Sequence, residues 1–203
     1  MNGKNKPVNK RKKILKAAAT VFSQKGFHQA TMDEIAKEAE VAKGTLYYTF
    51  TSKSKLFAAT VTEGMEEIIG EVEKELTSEL PFKEHFRKLI RTNFLLYLKY
   101  RDLSTIVFNE LTSGVGSDVL EEIGRVRQRY VDFISDLLDE GHKRGYLKEV
   151  NDTLAAVGVI GFLDGLCNYY LKGNGHPEQE AFIDTMFTVL SSGLLEHKGI
   201  EPT

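Results

Sequence analysis

An all-α chain in two parts is predicted by three features of the sequence: helical periodicity, sparse proline and a lopsided charge pattern. Apolar residues recur at i, i+3, i+4 and i+7 along most of the 203 residues, whereas the period-two alternation of strands is hard to find. Proline occurs only four times and tryptophan not at all. Residues 1–56 hold twelve Lys or Arg against four Asp or Glu, and the rest of the chain is acidic enough to bring the whole to −2. A short basic module followed by a longer acidic helical body is therefore expected. With 41% hydrophobic residues the chain has ample material for a core. A basic patch of this kind neutralises phosphates, and an acidic body discourages docking the wrong way round.

In chain order, residues 1–9 read as a flexible basic arm with Pro7 near its end. A first helix is expected over Lys10–Lys25, with Ile14, Leu15, Ala18, Val21 and Phe22 on one stripe, and Gly26 ends it. Thr31 with Glu34 three residues later forms a capping box, so a helix starts there and carries Met32, Ile35, Ala36 and Ala39 on one face. The segment Glu40-Val41-Ala42 breaks the period, and a second short helix follows from Lys43 to about Phe50. Its Leu46 and Phe50 face inward, while Lys43, Thr45, Tyr48 and Thr49 present a charge and hydroxyls elsewhere. Two short helices joined by a tight turn at about 31–50 make a helix-turn-helix, whose second helix enters the DNA major groove.

The run Thr31, Ile35-Ala36, Ala39, Val41, Lys43-Gly44-Thr45-Leu46-Tyr47, Phe50, Ser52-Lys53 and Leu56-Phe57 resembles the signature of the tetracycline-repressor (TetR) family. That resemblance covers residues from about 10 to 57 and extends beyond them only in length and helical layout. It implies an all-α homodimeric transcription regulator, usually a repressor, acting in the cytoplasm on double-stranded DNA at a palindromic operator. It also implies an N-terminal three-helix helix-turn-helix DNA-binding domain over residues 10–57 and a C-terminal helical effector-binding and dimerisation domain over 58–203. Carried over to this chain, the DNA contacts are Thr31, Lys43, Thr45, Tyr47, Tyr48, Thr49 and Lys53, with Gly44 allowing close approach. Three positions depart from the family pattern. Glu40 stands where glycine is usual, Ala42 replaces a serine N-cap, and Thr49 stands where His or Tyr is common.

The C-terminal part opens with a long helix from Ser52 to about Thr77, basic at its start and acidic beyond Glu63, which is expected to act as a lever between the two domains. Pro81 opens the next helix, a short one follows around Asp102–Leu111, and after a Thr112–Gly116 loop Ser117 caps a long helix reaching Lys143. A bundle of these helices gathers Phe94, Tyr97, Phe108, Tyr130 and Phe133 around a candidate cavity. Arg91, Asn93 and Asn109 are its polar anchors, which suits an apolar or aromatic effector. Residues 152–171, expected to start at an Asp152 cap, are apolar nearly all round. Asp164 and Asn168 interrupt them, which argues against a membrane span. Gly158, Gly161 and Gly165 permit close helix approach. With Phe182, Met186, Leu190 and Leu194 of a last helix that begins near Pro177, they form either a seam between two subunits or an intramolecular core.

The five histidines are scattered, no pair lies at i, i+4 beside a carboxylate, and there is no glycine-rich phosphate loop. Neither an enzyme nor a metal or cofactor site is expected. Cys167 lies in an apolar stretch and reads as a small buried hydrophobe. Rival readings are a structural DNA binder without an effector and a transcriptional activator of the same fold.

Overall fold

The computed structural model describes residues 6–76, 80–109, 115–173 and 177–194. In order the helices are α1 (Lys6–Gln29), α2 (Met32–Glu38), α3 (Lys43–Thr49), α4 (Lys53–Glu75), α5 (Phe82–Lys99), α6 (Arg101–Asn109), α7 (Ser117–Lys143), α8 (Asp152–Lys172) and α9 (Gln179–Leu194). The first five residues of the expected arm, most of the Thr112–Gly116 loop and the end of the Gly173–Gly175 loop lie outside the described residues. Helix α1 starts four residues earlier than expected, since Pro7 is tolerated in a first turn, where its missing N–H has no intrahelical partner. Its regular course breaks at Gly26, which has φ 74°, a backbone region open to glycine at little cost.

The chain forms two compact units. The first takes residues up to Glu67 together with Tyr100–Val126, the second Ile68–Lys99 together with the residues from Arg127 onward. The unit holding the helix-turn-helix is thus larger than residues 10–57. It includes the first part of α4, α6, which packs on α1, and the first turns of α7. Its core joins Ile14, Ala18 and Phe22 of α1 to Ile35 of α2, Leu46 of α3 and Phe57 of α4, with Ile106 of α6 and Ile123 of α7 closing the far side. Phe22, Phe27 and Phe57 meet as an aromatic cluster, with Phe57 edge-on to both others at 5.1 Å between centroids. Across α1 and α6, Asp102 accepts from the hydroxyls of Thr20 at 2.8 Å and Ser23 at 3.1 Å.

In the second unit α5 packs on α8 and α9. Phe94 meets Tyr170 edge-on at 4.9 Å and Phe182 at 5.2 Å, and Phe86, Leu89, Ile90, Ile134, Leu138 and Met186 are buried around them. The cap of α8 is Asn151 rather than Asp152: its side chain accepts from the Leu154 N–H at 2.9 Å, one residue ahead of the expected position. Cys167 is buried as expected, and burial pushes its thiol pKa up.

Helix α3 has seven residues, and Leu46, fully buried, is its main anchor to the first core. Leu46→Ala should lower the unfolding free energy by about 2–5 kcal/mol through lost burial and the cavity left behind. A urea titration followed by circular dichroism measures it, and a loss under 1 kcal/mol would mean that α3 is held some other way.

Candidate functional site

The start of α2 is built as the sequence implies. Thr31 is extended at φ −117°, its hydroxyl accepts from the Glu34 N–H at 3.3 Å, and Glu34 accepts from the Thr31 N–H at 3.1 Å. Lys25 of α1 adds a bond to the same carboxylate at 2.5 Å and is the main cause that lowers the Glu34 pKa, followed by Thr31. Thr31 is therefore occupied in capping, although its residue remains exposed.

At the turn between α2 and α3, where the resembled family usually has glycine, the backbone is left-handed. Glu40 has φ 49°, the one positive φ outside glycine among the described residues, and a non-glycine side chain there costs roughly 1–2 kcal/mol. Its carboxylate accepts from Lys13 of α1 at 2.5 Å, and that bond lowers its pKa. Ala42, the N-cap of α3, offers no side-chain acceptor to the orphan N–H groups.

Along α3 the inward and outward faces separate cleanly. Leu46 and Phe50 are buried, while Tyr48 is 92% exposed and Tyr47 42%. Lys43 straddles both carboxylate oxygens of Asp33 on α2, each 2.8 Å away, and its ammonium stands 5.9 Å from the Tyr47 ring centroid. Its pKa is raised, chiefly by the hydrogen bond to Asp33. Thr49 bonds inward to the Thr45 carbonyl at 2.8 Å, so its hydroxyl proton is already committed within the helix. Gly44 is exposed, and a Cβ there would meet nothing within 4 Å. Packing inside the chain therefore makes no demand for glycine at 44.

Lys53 holds the first turn of α4 to the link between α1 and α2. Its ammonium donates to the carbonyls of His28 at 3.1 Å and Ala30 at 3.0 Å, and it stands 4.7 Å over the Phe27 ring. An ammonium has three donors, so one remains for a phosphate. Sequence reasoning missed this bracing role, because nothing local in Ser52-Lys53 points to carbonyls more than twenty residues away.

The second candidate site lies within the second unit. Tyr97 of α5 donates to Asp164 of α8, which also takes a bond from Arg127 of α7 at 2.9 Å. Tyr130 of α7 donates to Asn93 of α5 at 2.5 Å, and Asn93 in turn donates to the Leu89 carbonyl at 2.9 Å. Burial raises the pKa of both phenols, so Tyr97 and Tyr130 remain neutral donors at any physiological pH. Four of the eight expected pocket residues therefore fall together: Asn93, Tyr97 and Tyr130 in this network, and Phe133, whose ring stacks on Tyr130 at 6.4 Å. Asp164, Arg127 and Cys167 were missed as neighbours, since no period along one helix links α5, α7 and α8. The others go elsewhere. Arg91 is exposed and paired to Glu180 at 2.6 Å, Phe94 is core, and Phe108 belongs to the first unit. The side chain of Asn109 lies outside the described residues.

The expected seam also divides. Phe182, Met186 and Leu190 of α9 are buried in their own chain, because an i, i+4 apolar stripe serves the internal core as readily as a partner. They are not available to a second subunit; Leu194 is half-buried, and its carbonyl accepts from the Lys148 N–H at 3.0 Å. Helix α8 is different. Ala156, Val159, Ile160, Leu163, Cys167 and Tyr170 face inward, while Leu154 at 72%, Val157 at 51% and Tyr169 at 70% stay exposed on the side that carries Gly158, Gly161 and Gly165. This helix is long and apolar enough to cross a membrane by length and composition alone.

Comparison with known proteins gives two family matches. Residues 14–60 match the model for bacterial regulatory proteins of the tetR family, and residues 79–194 match the tetracyclin repressor-like C-terminal domain. The fatty acid metabolism regulator protein of Bacillus subtilis is 26% identical over 182 residues, covering 89% of this chain and 93% of its own length. Among solved structures, the fatty acid degradation regulator FadR from Bacillus halodurans has a TM-score of 0.84 at 25% identity, over 94% of this chain and 98% of that one. FadR from Bacillus subtilis, solved in complex with stearoyl-CoA, has a TM-score of 0.80 at 25% identity, over 94% and 99%.

The open space around Gly44 separates stability from function at one residue. Gly44→Ala should leave stability equal or raise it by up to about 1 kcal/mol, since alanine favours a helix. It should nonetheless weaken DNA binding if a phosphate backbone comes close to this turn. Paired thermal melts and gel shifts test this, and unchanged affinity would remove the close approach.

Proposed function

This chain belongs to the tetracycline-repressor family of bacterial regulatory proteins, and from that premise we propose that it is a homodimeric repressor released from its operator by a long-chain acyl thioester of coenzyme A. The observation that carries the DNA half of this reading is α3 itself: anchored by Leu46 and Phe50, it leaves Lys43, Gly44, Tyr47 and Tyr48 turned to solvent. Tyr47, Tyr48 and the third donor of Lys53 supply phosphate or base contacts, and Thr31 and Thr45 lie beside them.

The effector half rests on the second unit and on the likeness to a regulator solved with stearoyl-CoA. An apolar core that includes Phe86, Ile134 and Met186, in the same unit as Tyr97, Tyr130, Asn93 and Asp164, suits a long apolar chain. Both phenol protons are already given to Asp164 and Asn93, so a polar end must displace those bonds. A charged nucleotide end must compete for its cations: each arginine described in that unit, Arg87, Arg91, Arg127, Arg129 and Arg144, already pairs with a carboxylate. Helices α4 and α7 contribute residues to both units, which makes them the route by which occupancy of one biases the other. By linkage, an effector that favours the DNA-incompetent state weakens DNA binding by the factor with which DNA weakens effector binding.

The test is a gel-shift titration on DNA flanking the protein's own gene, at physiological salt, with acyl-CoAs from acetyl to stearoyl added to the complex. Release by long chains at concentrations where free coenzyme A does nothing is expected. Equal release by free coenzyme A, or none by any thioester, would overturn the effector class while leaving the DNA reading intact.

The second copy is placed on the exposed face of α8. Gly161→Leu adds a side chain where nothing lies within 4 Å in the same chain, so the fold should tolerate it. Sedimentation should then show a monomer with unchanged helical content, and a persisting dimer would move the interface elsewhere.

A further inference from the structure

Asp33 is an acidic residue on the face of a module that must approach a polyanion; its place in the first turn of α2 suits the helix dipole but does not account for its contact with Lys43. It lies in the first turn of α2, 63% of its side chain is exposed, and both its oxygens contact the Lys43 ammonium at 2.8 Å. Lys43 is itself 61% exposed, and an ion pair this open adds little to stability. The pair has a geometric effect instead. It fixes a long, flexible side chain at the first residue of α3, between a carboxylate on α2 and the Tyr47 ring one turn on. Because Ala42 provides no side-chain cap, this pair is a side-chain tie between α2 and the uncapped start of α3.

A cation whose charge is met by a carboxylate contributes little counterion release on a phosphate, yet its one remaining donor keeps its direction. Guanine offers two acceptors, O6 and N7, in the major groove, and a lysine held at a known angle can address them. A free lysine at the same place prefers the strongest nearby negative charge, which is the phosphate backbone.

We propose that Asp33 is a positioning residue for base recognition: by straddling the Lys43 ammonium it withholds that charge from the phosphates and aims it at a base edge. The assignment rests on the DNA-binding reading above. It makes Asp33 exchange affinity for selectivity, so its removal tightens binding to arbitrary DNA while blurring the preferred sequence.

The experiment selects duplexes from a random-sequence library with the full-length wild-type protein, then titrates the winning duplex and a scrambled one across a salt series. Asp33→Asn, Lys43→Met and the double variant are measured alongside, with thermal melts as a folding control. Asp33→Asn is expected to tighten the scrambled duplex several-fold and to steepen its dependence of log affinity on log salt by about one unit, as one further phosphate contact would. It should also flatten the selected preference at one position of each half-site. Lys43→Met should flatten the same position without steepening the slope, and in its background Asp33→Asn should alter the base preference no further, although removing the bare carboxylate tightens both duplexes alike. Equal shifts on both duplexes with Lys43 present, or an Asp33→Asn change of base preference that persists without Lys43, would overturn the proposal. Should Asp33→Asn fold poorly, Lys43→Met alone decides: an undisturbed base preference rejects the role. A wild-type pool with no preferred sequence would instead overturn site-specific binding itself, and this assignment with it.

Discussion

A seven-residue helix cannot sustain itself in water, and everything in the first unit follows from having to hold α3 in place. Isolated helices shorter than about 12–15 residues are marginal because nucleation costs more than a turn or two returns. Helix α3 has the further handicap of Ala42, which offers no cap to its first N–H groups. Its order comes from burying Leu46 and Phe50 against Phe22, Ile35 and Phe57. Burial of this kind fixes the rotation of a helix about its axis as well as its place. With Leu46 inward, the 3.6-residue period sends Gly44 and Tyr48 to the far side, while Lys43 is exposed as the first residue of the helix and Tyr47 at the edge of the buried face.

Electrostatics in this unit is less simple than its net charge. Residues 1–56 are strongly basic, yet Arg11 pairs with Glu63, Lys12 lies 3.7 Å from Glu67, and Lys13, Lys25 and Lys43 meet Glu40, Glu34 and Asp33. Open pairs of this kind are worth about 0–1 kcal/mol each, so a phosphate arriving at Arg11, Lys12, Lys13 or Lys25 displaces a carboxylate at small cost, whereas Lys43 is held by both oxygens of Asp33. Binding to DNA then becomes an exchange of partners. The cations keep defined directions beforehand, and the acids of α4 tie α1 to it.

Helix α6 has a double membership. In sequence it falls within the stretch that matches the C-terminal domain, and in space it is part of the unit that contains the helix-turn-helix. Asp102 secures it to α1 through Thr20 and Ser23, and Ile106 joins the common core. Helix α6 is thus bonded to the first helix of the unit that holds the helix-turn-helix.

What the sequence determined by itself is local. The Thr31–Glu34 capping box, the break at Gly26, the missing cap at Ala42 and the inward Leu46 each follow from contacts within four residues or from a single backbone angle, so the residues alone specify them, whereas only the structure shows the left-handed backbone at Glu40. The family signature over residues 31–57 was legible for the same reason. Tertiary structure alone decided the rest. It assigned Phe182, Met186 and Leu190 to the chain's own core, left the glycine face of α8 exposed, drew Asp164 into the Tyr97 and Arg127 network, and turned Lys53 toward two backbone carbonyls. Helical periodicity states that a face is apolar but not which surface covers it. Polar partners dozens of residues apart meet only after several helices have packed, and no spacing along the chain encodes that meeting.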